Sequence, residues 1–201
     1  MEQQLGIWLR RLRILATIAF VLALCGSVAF LVIAFIPGSP VMLELPTPLL
    51  SGLGAIQGVV PGVVVDPDGY IAFSVNDPSL GQRLLNLATI LPGQVLSAEI
   101  ARRLARLLRA AEASDPFTTG TVRELTFIAK LTAFGGLGVW GLASAGMSVL
   151  STTMVDSGSS LELVASRETP FWWLAIGFIF AAVAQLLARG VATRAELDTV
   201  I

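Results

Sequence analysis

The sequence predicts an all-α integral membrane protein with four transmembrane helices and one β-hairpin-containing loop outside the membrane. It is 55% hydrophobic and only 13% charged, with a mean hydropathy of +0.80, whereas a soluble domain carries charge on roughly a quarter of its residues. Most of its Lys and Arg residues fall into three groups separated by apolar runs. The groups are Arg10, Arg11 and Arg13; Arg102, Arg103, Arg106, Arg109, Arg123 and Lys130; and Arg189 and Arg194.

This charge distribution also predicts an orientation. Cytoplasmic segments next to membrane spans collect Lys and Arg, so both chain termini are expected in the cytoplasm. One membrane domain over residues 1–201 is expected, with a loop at about 37–81 outside the membrane. The predicted helices lie at about 10–36, 82–112, 121–153 and 171–191.

The first span is an uncharged run at residues 14–35. At 1.5 Å per residue this run matches a hydrocarbon core about 30 Å thick. The sequence Ile36-Pro37-Gly38-Ser39-Pro40 follows it directly. Proline and glycine in this density end a helix, so the first helix is expected to stop there.

A β-hairpin is predicted within the outer loop. Residues 62–65 and Tyr70–Val75 are β-branched or aromatic runs, and Asp66-Pro67-Asp68-Gly69 separates them. Proline and glycine in that segment suit a tight turn. Because an isolated two-stranded hairpin is marginal in water, it is expected to pack on the helices or on a partner.

The second span, at residues 84–101, is apolar overall but contains polar residues and Pro92-Gly93. We expect a kinked helix that neighbouring helices largely bury, because they can satisfy the backbone groups that proline frees. Without this span, Arg102 and the arginines after it would lie outside, against the charge rule. Glu99 lies one helical turn before Arg102 and Arg103, which predicts a local ion pair.

The third span is expected to begin at Thr121-Val122-Arg123-Glu124, which has a capping-box pattern. Small residues recur along it at steps of three and four and predict a helix-packing seam. These residues are Gly138, Gly141, Ala145 and Ser148. The fourth span opens on Phe171-Trp172-Trp173, aromatic residues typical of a membrane interface, and ends at Arg189-Gly190, before a short polar tail.

The main candidate binding site is the arginine group in the middle of the chain, together with the segment that follows it. Its residues are Arg102, Arg103, Arg106, Arg109, Pro116 and Phe117. The arginines could dock an acidic cytoplasmic partner or anionic lipid head groups, or they could serve only as a topological anchor. Pro116-Phe117 is either a docking point or a helix stop whose ring folds back onto the bundle. Direct nucleic-acid binding is not expected, because Glu112 and Asp115 follow the arginines and no aromatic residues lie among them.

The sequence predicts no catalytic, metal or cofactor site. It contains no histidine, the usual general base and the commonest metal ligand. Its single cysteine, Cys25, lies inside an apolar run, and no paired carboxylates lie at membrane depth. We therefore do not expect an enzyme.

Two stretches of the sequence resemble a known family. Asp115-Pro116-Phe117-Thr118, followed by Val122-Arg123-Glu124-Leu125, is similar to a segment of the bacterial domain-of-unknown-function 2975 family, and the acidic tail at 190–201 is similar to its ending. The resemblance implies four spans, a long first outer loop and a place in the bacterial plasma membrane. Members are often encoded beside a small helix-turn-helix regulator of the Cro type, which implies a membrane-bound sensor or sequestering partner for a transcription factor.

Three functional hypotheses remain open. The favoured one is a non-enzymatic sensor or regulatory protein that holds a cytoplasmic regulator. The second is a structural or accessory subunit of a larger membrane complex, or a homo-oligomer, assembled through the small-residue seam. The third is a small transporter or immunity protein in which Asn86, Gln94 and Glu99 line a pathway beside Pro92.

Overall fold

The computed structural model describes residues 2–46, 70–113, 117–154 and 170–198, which are mostly helical. In chain order the elements are α1 (Glu2–Phe35), β1 (Val41–Pro46), β2 (Tyr70–Val75), α2 (Leu80–Ala113), α3 (Thr119–Lys130), a π-helical turn (Leu131–Gly135), α4 (Gly136–Met154) and α5 (Phe171–Asp198). Four helical segments are long and apolar enough to cross a bilayer, with α3, the π-helical turn and α4 forming one of them. These four helices confirm the predicted helical class.

The helices expose large apolar side chains over much of their surface. Leu22 and Val32 of α1 are 67% and 57% exposed, and Phe178 of α5 is 72% exposed. A soluble monomer rarely leaves contiguous apolar surface of this kind in contact with water. Lipid tails solvate such side chains, so this surface fits a multi-pass membrane protein.

The described residues belong to two compact units. Unit 1 comprises Met1–Val28, Pro92–Trp140 and Glu168–Ile201, and unit 2 comprises Ala29–Leu91 and Gly141–Arg167. Helices α1, α2 and α4 contribute residues to both units. The expectation of one membrane domain over residues 1–201 stays a prediction.

Unit 2 contains a two-stranded antiparallel sheet. The predicted strand at Tyr70–Val75 is confirmed as β2, and its partner is β1, which the sequence analysis did not anticipate. Val41 pairs with Val75 and Leu43 with Phe73. Val41 and Leu43 are 4% and 2% exposed, so alternate side chains of β1 point into the core. The predicted partner strand at 62–65 and the turn at 66–69 lie outside the described residues.

A tight turn connects α1 to β1. The amide of Ser39 donates to the carbonyl of Ile36 at 3.2 Å, and Gly38 has a φ of +80°. Proline in the second position and a left-handed glycine in the third define a type II turn. The helix stop predicted at Ile36-Pro37-Gly38 is therefore confirmed.

Helix α2 begins with a reciprocal cap. The amide of Ser79 donates to the side-chain oxygen of Gln82 at 2.9 Å, and the amide of Gln82 donates to the hydroxyl of Ser79 at 3.3 Å. The Ser-x-x-Gln pattern is a capping-box signature that the sequence analysis missed. The helix then continues through Pro92 to Ala113.

The expected burial of this second span is wrong. Only 17% of its most apolar window is buried, against 33% for the span formed by α3 and α4. Most α2 side chains in that window are half-buried instead. Two polar groups of α2 are nevertheless buried: Thr89 is 9% exposed, and Oε1 of Gln94 is buried without a hydrogen-bond partner among the described residues.

The start of the third span also differs from the prediction. Thr118 caps α3, with its hydroxyl accepting from the amide of Thr121 at 3.2 Å. The predicted capping box at Thr121 to Glu124 is wrong because the helix begins one turn earlier. The side chain of Glu124 is therefore not used in a cap and bonds to Arg103 of α2 instead.

The core of unit 1 lies around the π-helical turn, where α3 packs along α5. Ile128 is fully buried and Thr132 is 1% exposed, and the Thr132 hydroxyl donates to the carbonyl of Ile128 at 2.8 Å. Two glycines permit close approach here. A Cβ added at Gly136 would lie 2.4 Å from Cβ and Cγ of Trp173, and one added at Gly177 would lie 2.9 Å from Cβ of Ala133.

The predicted small-residue seam does not make these close contacts. Gly138, Gly141 and Ala145 are exposed, and a Cβ at either glycine would have nothing within 4 Å among the described residues. Only Ser148 of the predicted set is buried, at 5% exposure. Among the described residues, Gly138, Gly141 and Ala145 thus leave an open face, and their packing against another chain stays a prediction.

The last helix is longer than predicted. Helix α5 runs through Gly190 to Asp198, whereas the predicted helix ends near residue 191, before a polar tail. The Thr193 hydroxyl donates to the carbonyl of Arg189 at 3.1 Å. This bond within the helix helps the polar segment after Gly190 to remain helical.

A pair of glycine substitutions tests the packing of unit 1. Gly136→Ala should lower the free energy of unfolding by about 2 kcal/mol, because the Trp173 atoms that it meets lie beside the backbone and cannot rotate away. Gly138→Ala is the matched control and should be neutral or stabilising by up to about 1 kcal/mol. Thermal unfolding in one detergent measures both; equal midpoints would contradict this packing.

Candidate functional site

In the structure, the predicted arginine group of α2 consists of two pairs with different contacts. Arg102 and Arg103 are half-buried and bonded to carboxylates, whereas Arg106 and Arg109 are exposed. All four lie in unit 1. The two halves therefore differ in what they can bind.

Glu99 receives three hydrogen bonds from the first half. Arg102 donates from Nε to Oε2 at 2.7 Å and from Nη2 to Oε1 at 2.6 Å, and Arg103 donates from Nε to Oε1 at 2.7 Å. Guanidinium–carboxylate pairs of this bidentate kind are among the stronger hydrogen-bonded contacts in proteins. The predicted ion pair is confirmed, and Glu99 is occupied by its own helix.

Arg103 also connects α2 to α3. Its Nη1 donates to Oε1 of Glu124 at 2.8 Å, and its guanidinium carbon lies 4.3 Å from the centre of the Phe127 ring. A cation over an aromatic face is attracted by the ring quadrupole. Two carboxylates and one ring therefore fix the position of this side chain.

A second ion pair connects α1 to α2. Arg13 donates from Nη1 to Oε2 of Glu112 at 2.5 Å, and the two side chains are 30% and 19% exposed. The other carboxylate oxygen of Glu112 is buried without a hydrogen-bond partner in the described part of the chain. The sequence predicts Arg13 only as part of a topological cluster, and this ion pair was not expected.

The other half of the group forms an exposed arginine pair, Arg106 and Arg109. They lie three residues apart on α2 and so share one helix face. Neither makes an ion pair or a hydrogen bond with any residue that the structure describes. Their guanidinium donors thus remain available to a partner.

Phe117 lies against the last helix. A Cβ added at Gly190 would be 3.5 Å from a carbon of its ring, while 46% of the side chain remains exposed. The ring is therefore folded back onto the bundle, as one of the two interpretations expected. Pro116, its neighbour in the predicted site, lies outside the described residues.

Arg83 has a structural role in unit 2 that was not predicted from the sequence. Its Nη1 donates to the carbonyls of Ala34 at 2.7 Å and Ile36 at 3.0 Å, and its Nε donates to the carbonyl of Pro78 at 3.3 Å. A cation at the C-terminal end of a helix satisfies unpaired carbonyls and interacts favourably with the helix dipole. The sequence did carry a signal for this role: Arg83 is the only basic residue between residues 37 and 101.

The charged side chains described above can bind a partner or hold helices in position. None of them forms a pair of a nucleophile and a general base. The described residues hold no cluster of three or more Cys, Asp or Glu side chains that could ligate a metal ion. Cys25 is exposed on α1. The chemistry that the site offers is recognition of an anionic or acidic partner by guanidinium groups.

Comparison with known families identifies one match. Residues 83–201 match the family described as "Protein of unknown function (DUF2975)". The match begins at Arg83, covers the charged residues of α2 and α3, and spans more than half of the chain. No curated protein and no solved structure matches the chain.

Removing one charge tests the link between α2 and α3. Glu124→Gln should lower the free energy of unfolding by about 1 kcal/mol, because it weakens a partly exposed, charge-assisted bond to Arg103. Arg106→Gln should change it by less than about 0.5 kcal/mol. Denaturant titration in detergent measures both. A double-mutant cycle with Arg103→Gln that gives no coupling energy would contradict the link.

Proposed function

We propose that this chain, which belongs to the DUF2975 family of proteins of unknown function, holds a regulatory protein at the cytoplasmic face of the bacterial plasma membrane. The observation that carries the proposal is the exposed arginine pair on a helix fixed by ion pairs on either side of it. The resemblance to this family implies the class of partner, a small helix-turn-helix regulator.

The proposed orientation follows from the basic residues. Arg10, Arg11, Arg106, Arg109 and Arg189 lie in segments placed in the cytoplasm, because positive charge collects on that side. The loop at 37–81 contains no Lys or Arg and is placed outside. A stimulus would then act at the outer loop, and the partner would dock inside.

Docking is favoured over simple anchoring because ion pairs fix the position of the helix that carries the arginine group. Topological anchoring requires only that positive charges be present. Here half of the group is used in fixed contacts with Glu99 and Glu124, and Arg13 fixes α2 to α1. The exposed arginine pair is therefore presented on a constrained helix, which lowers the entropic cost of binding.

The proposed partner surface is acidic. Positive charges at an interface steer an acidic partner and suppress wrong ones. A helix-turn-helix protein uses a basic surface for DNA, so its acidic contact with this chain would lie elsewhere on it. Release of such a protein from the membrane would make it available to its operator.

Charge reversal tests this function. Arg106→Glu/Arg109→Glu should lower recovery of a cytoplasmic DNA-binding protein by about tenfold or more, equivalent to about 1.4 kcal/mol. Arg123→Glu/Arg189→Glu is the matched control, since both residues are exposed and the net charge changes equally. Affinity purification of the intact chain from native membranes, quantified by mass spectrometry, measures recovery.

Two outcomes would contradict the proposal. One is that the unaltered chain recovers no cytoplasmic DNA-binding protein under any growth condition. The other is that both double variants lose the partner equally, because the arginines would then act only through total charge.

The second candidate function is an accessory subunit of a membrane complex. Gly138, Gly141 and Ala145 are exposed and leave a small-residue face open on α4. Small residues let helices of different chains approach closely in lipid. In the same purification, recovery of integral membrane proteins without a DNA-binding protein would favour this candidate.

A further inference from the structure

We infer that unit 2 binds an amphiphile with an anionic head and one apolar chain, in a pocket at the junction of α1, β1 and α2. This inference deepens the proposed function, since it names the chemical class that an outer sensing region would recognise. Two observations support it: the hydrogen bonds that Arg83 makes, and the residues that line the pocket beside it.

The pocket has apolar walls and one polar end. It is small and open at its mouth, and its empty space of about 320 Å³ includes open solvent. Phe30, Ile33, Pro40 and Val41 supply apolar surface. Arg83 and Asn86 lie one helical turn apart on α2 and supply the charged and amide groups.

Hydrogen bonds fix the position of Arg83 but do not use all of its N–H donors. A guanidinium has five N–H donors, and three of those of Arg83 go to backbone carbonyls through Nε and Nη1. Its Nη2 group has no acceptor among the residues that the structure describes. The side-chain amide of Asn86 likewise makes no hydrogen bond within that part of the chain.

The Nη2 group of Arg83 and the side-chain amide of Asn86 indicate the chemical class of the ligand. A helix cap alone needs only the carbonyl contacts, whereas a guanidinium donor and an amide beside an apolar cavity suit an oxyanion attached to a hydrocarbon chain. Carboxylate and phosphate heads share this chemistry. Ile33 is 52% exposed on α1, so the chain of the ligand can continue along the apolar face of that helix.

Photolabelling in a defined bilayer tests the site. The intact chain is placed in nanodiscs of phosphatidylcholine and labelled with a diazirine analogue of dodecanoate. The label should map to the peptides that carry Phe30 to Val41 or Arg83 to Asn86. Dodecanoate or dodecyl phosphate should compete at least about tenfold better than dodecyltrimethylammonium, because only an anion pairs with the guanidinium. The better competitor identifies the head group.

Two variants and one control separate the pocket from the surrounding lipid surface. Ala34→Leu fills the cavity, and Asn86→Leu removes the amide; each should lower labelling about tenfold, as expected for the loss of one hydrogen bond to a charged group or of the space for the chain. Val32→Leu adds bulk on the same helix at a position that does not line the pocket and should label normally. Monodisperse elution confirms that each variant folds.

The inference is overturned if the label spreads evenly over the apolar helices, if the cationic amphiphile competes as well as the anions, or if both pocket variants label like the unaltered chain. Labelling is measured without any regulator present. Its failure therefore leaves the capture of a cytoplasmic protein unaffected, and failure of that capture leaves the labelling result unaffected.

Discussion

The bonds from Arg103 to Glu99 and Glu124 are the interaction on which the arrangement of the candidate site depends. They connect α2 to α3 and pair the carboxylates of Glu99 and Glu124 with one guanidinium. Loss of one member of a partly buried ion pair leaves its partner uncompensated, which costs more than the net gain from forming the pair. Because Arg102 and Arg103 are paired with carboxylates, the exposed positive charge of the arginine group is concentrated on Arg106 and Arg109.

Close approach of helix backbones is the second interaction that holds the helices together. Lipid tails are as apolar as the helix surfaces, so burial of apolar area offers little drive between helices in a bilayer, and packing and hydrogen bonds take its place. Gly136 and Gly177 in unit 1, and Gly146 against Thr89 in unit 2, are positions where a Cβ would lie under 3.0 Å from a neighbour. Charged bonds and close glycine contacts thus act together.

Composition and charge predicted the helical class and the approximate helix bounds, because span length and flanking arginines are local properties of the chain. The ion pair of Glu99 was predictable for the same reason, since its partners lie within one turn. The pairing of β1 with β2 and the contacts of Arg83 were not, because each joins residues distant in sequence. The packed face of the third span had a readable signal: Ala129, Gly136, Ala143 and Leu150, spaced by seven, are all buried.

Whether the arginine group and the outer loop lie on opposite sides of the membrane tests the central claim most directly. In a background with Cys25→Ser, Ser74→Cys and Ala113→Cys place single exposed thiols on β2 and at the end of α2. In intact cells an impermeant maleimide should label the first thiol at once and the second only after the membrane is permeabilised. Labelling of the second thiol alone, or of both equally, in intact cells would contradict the account.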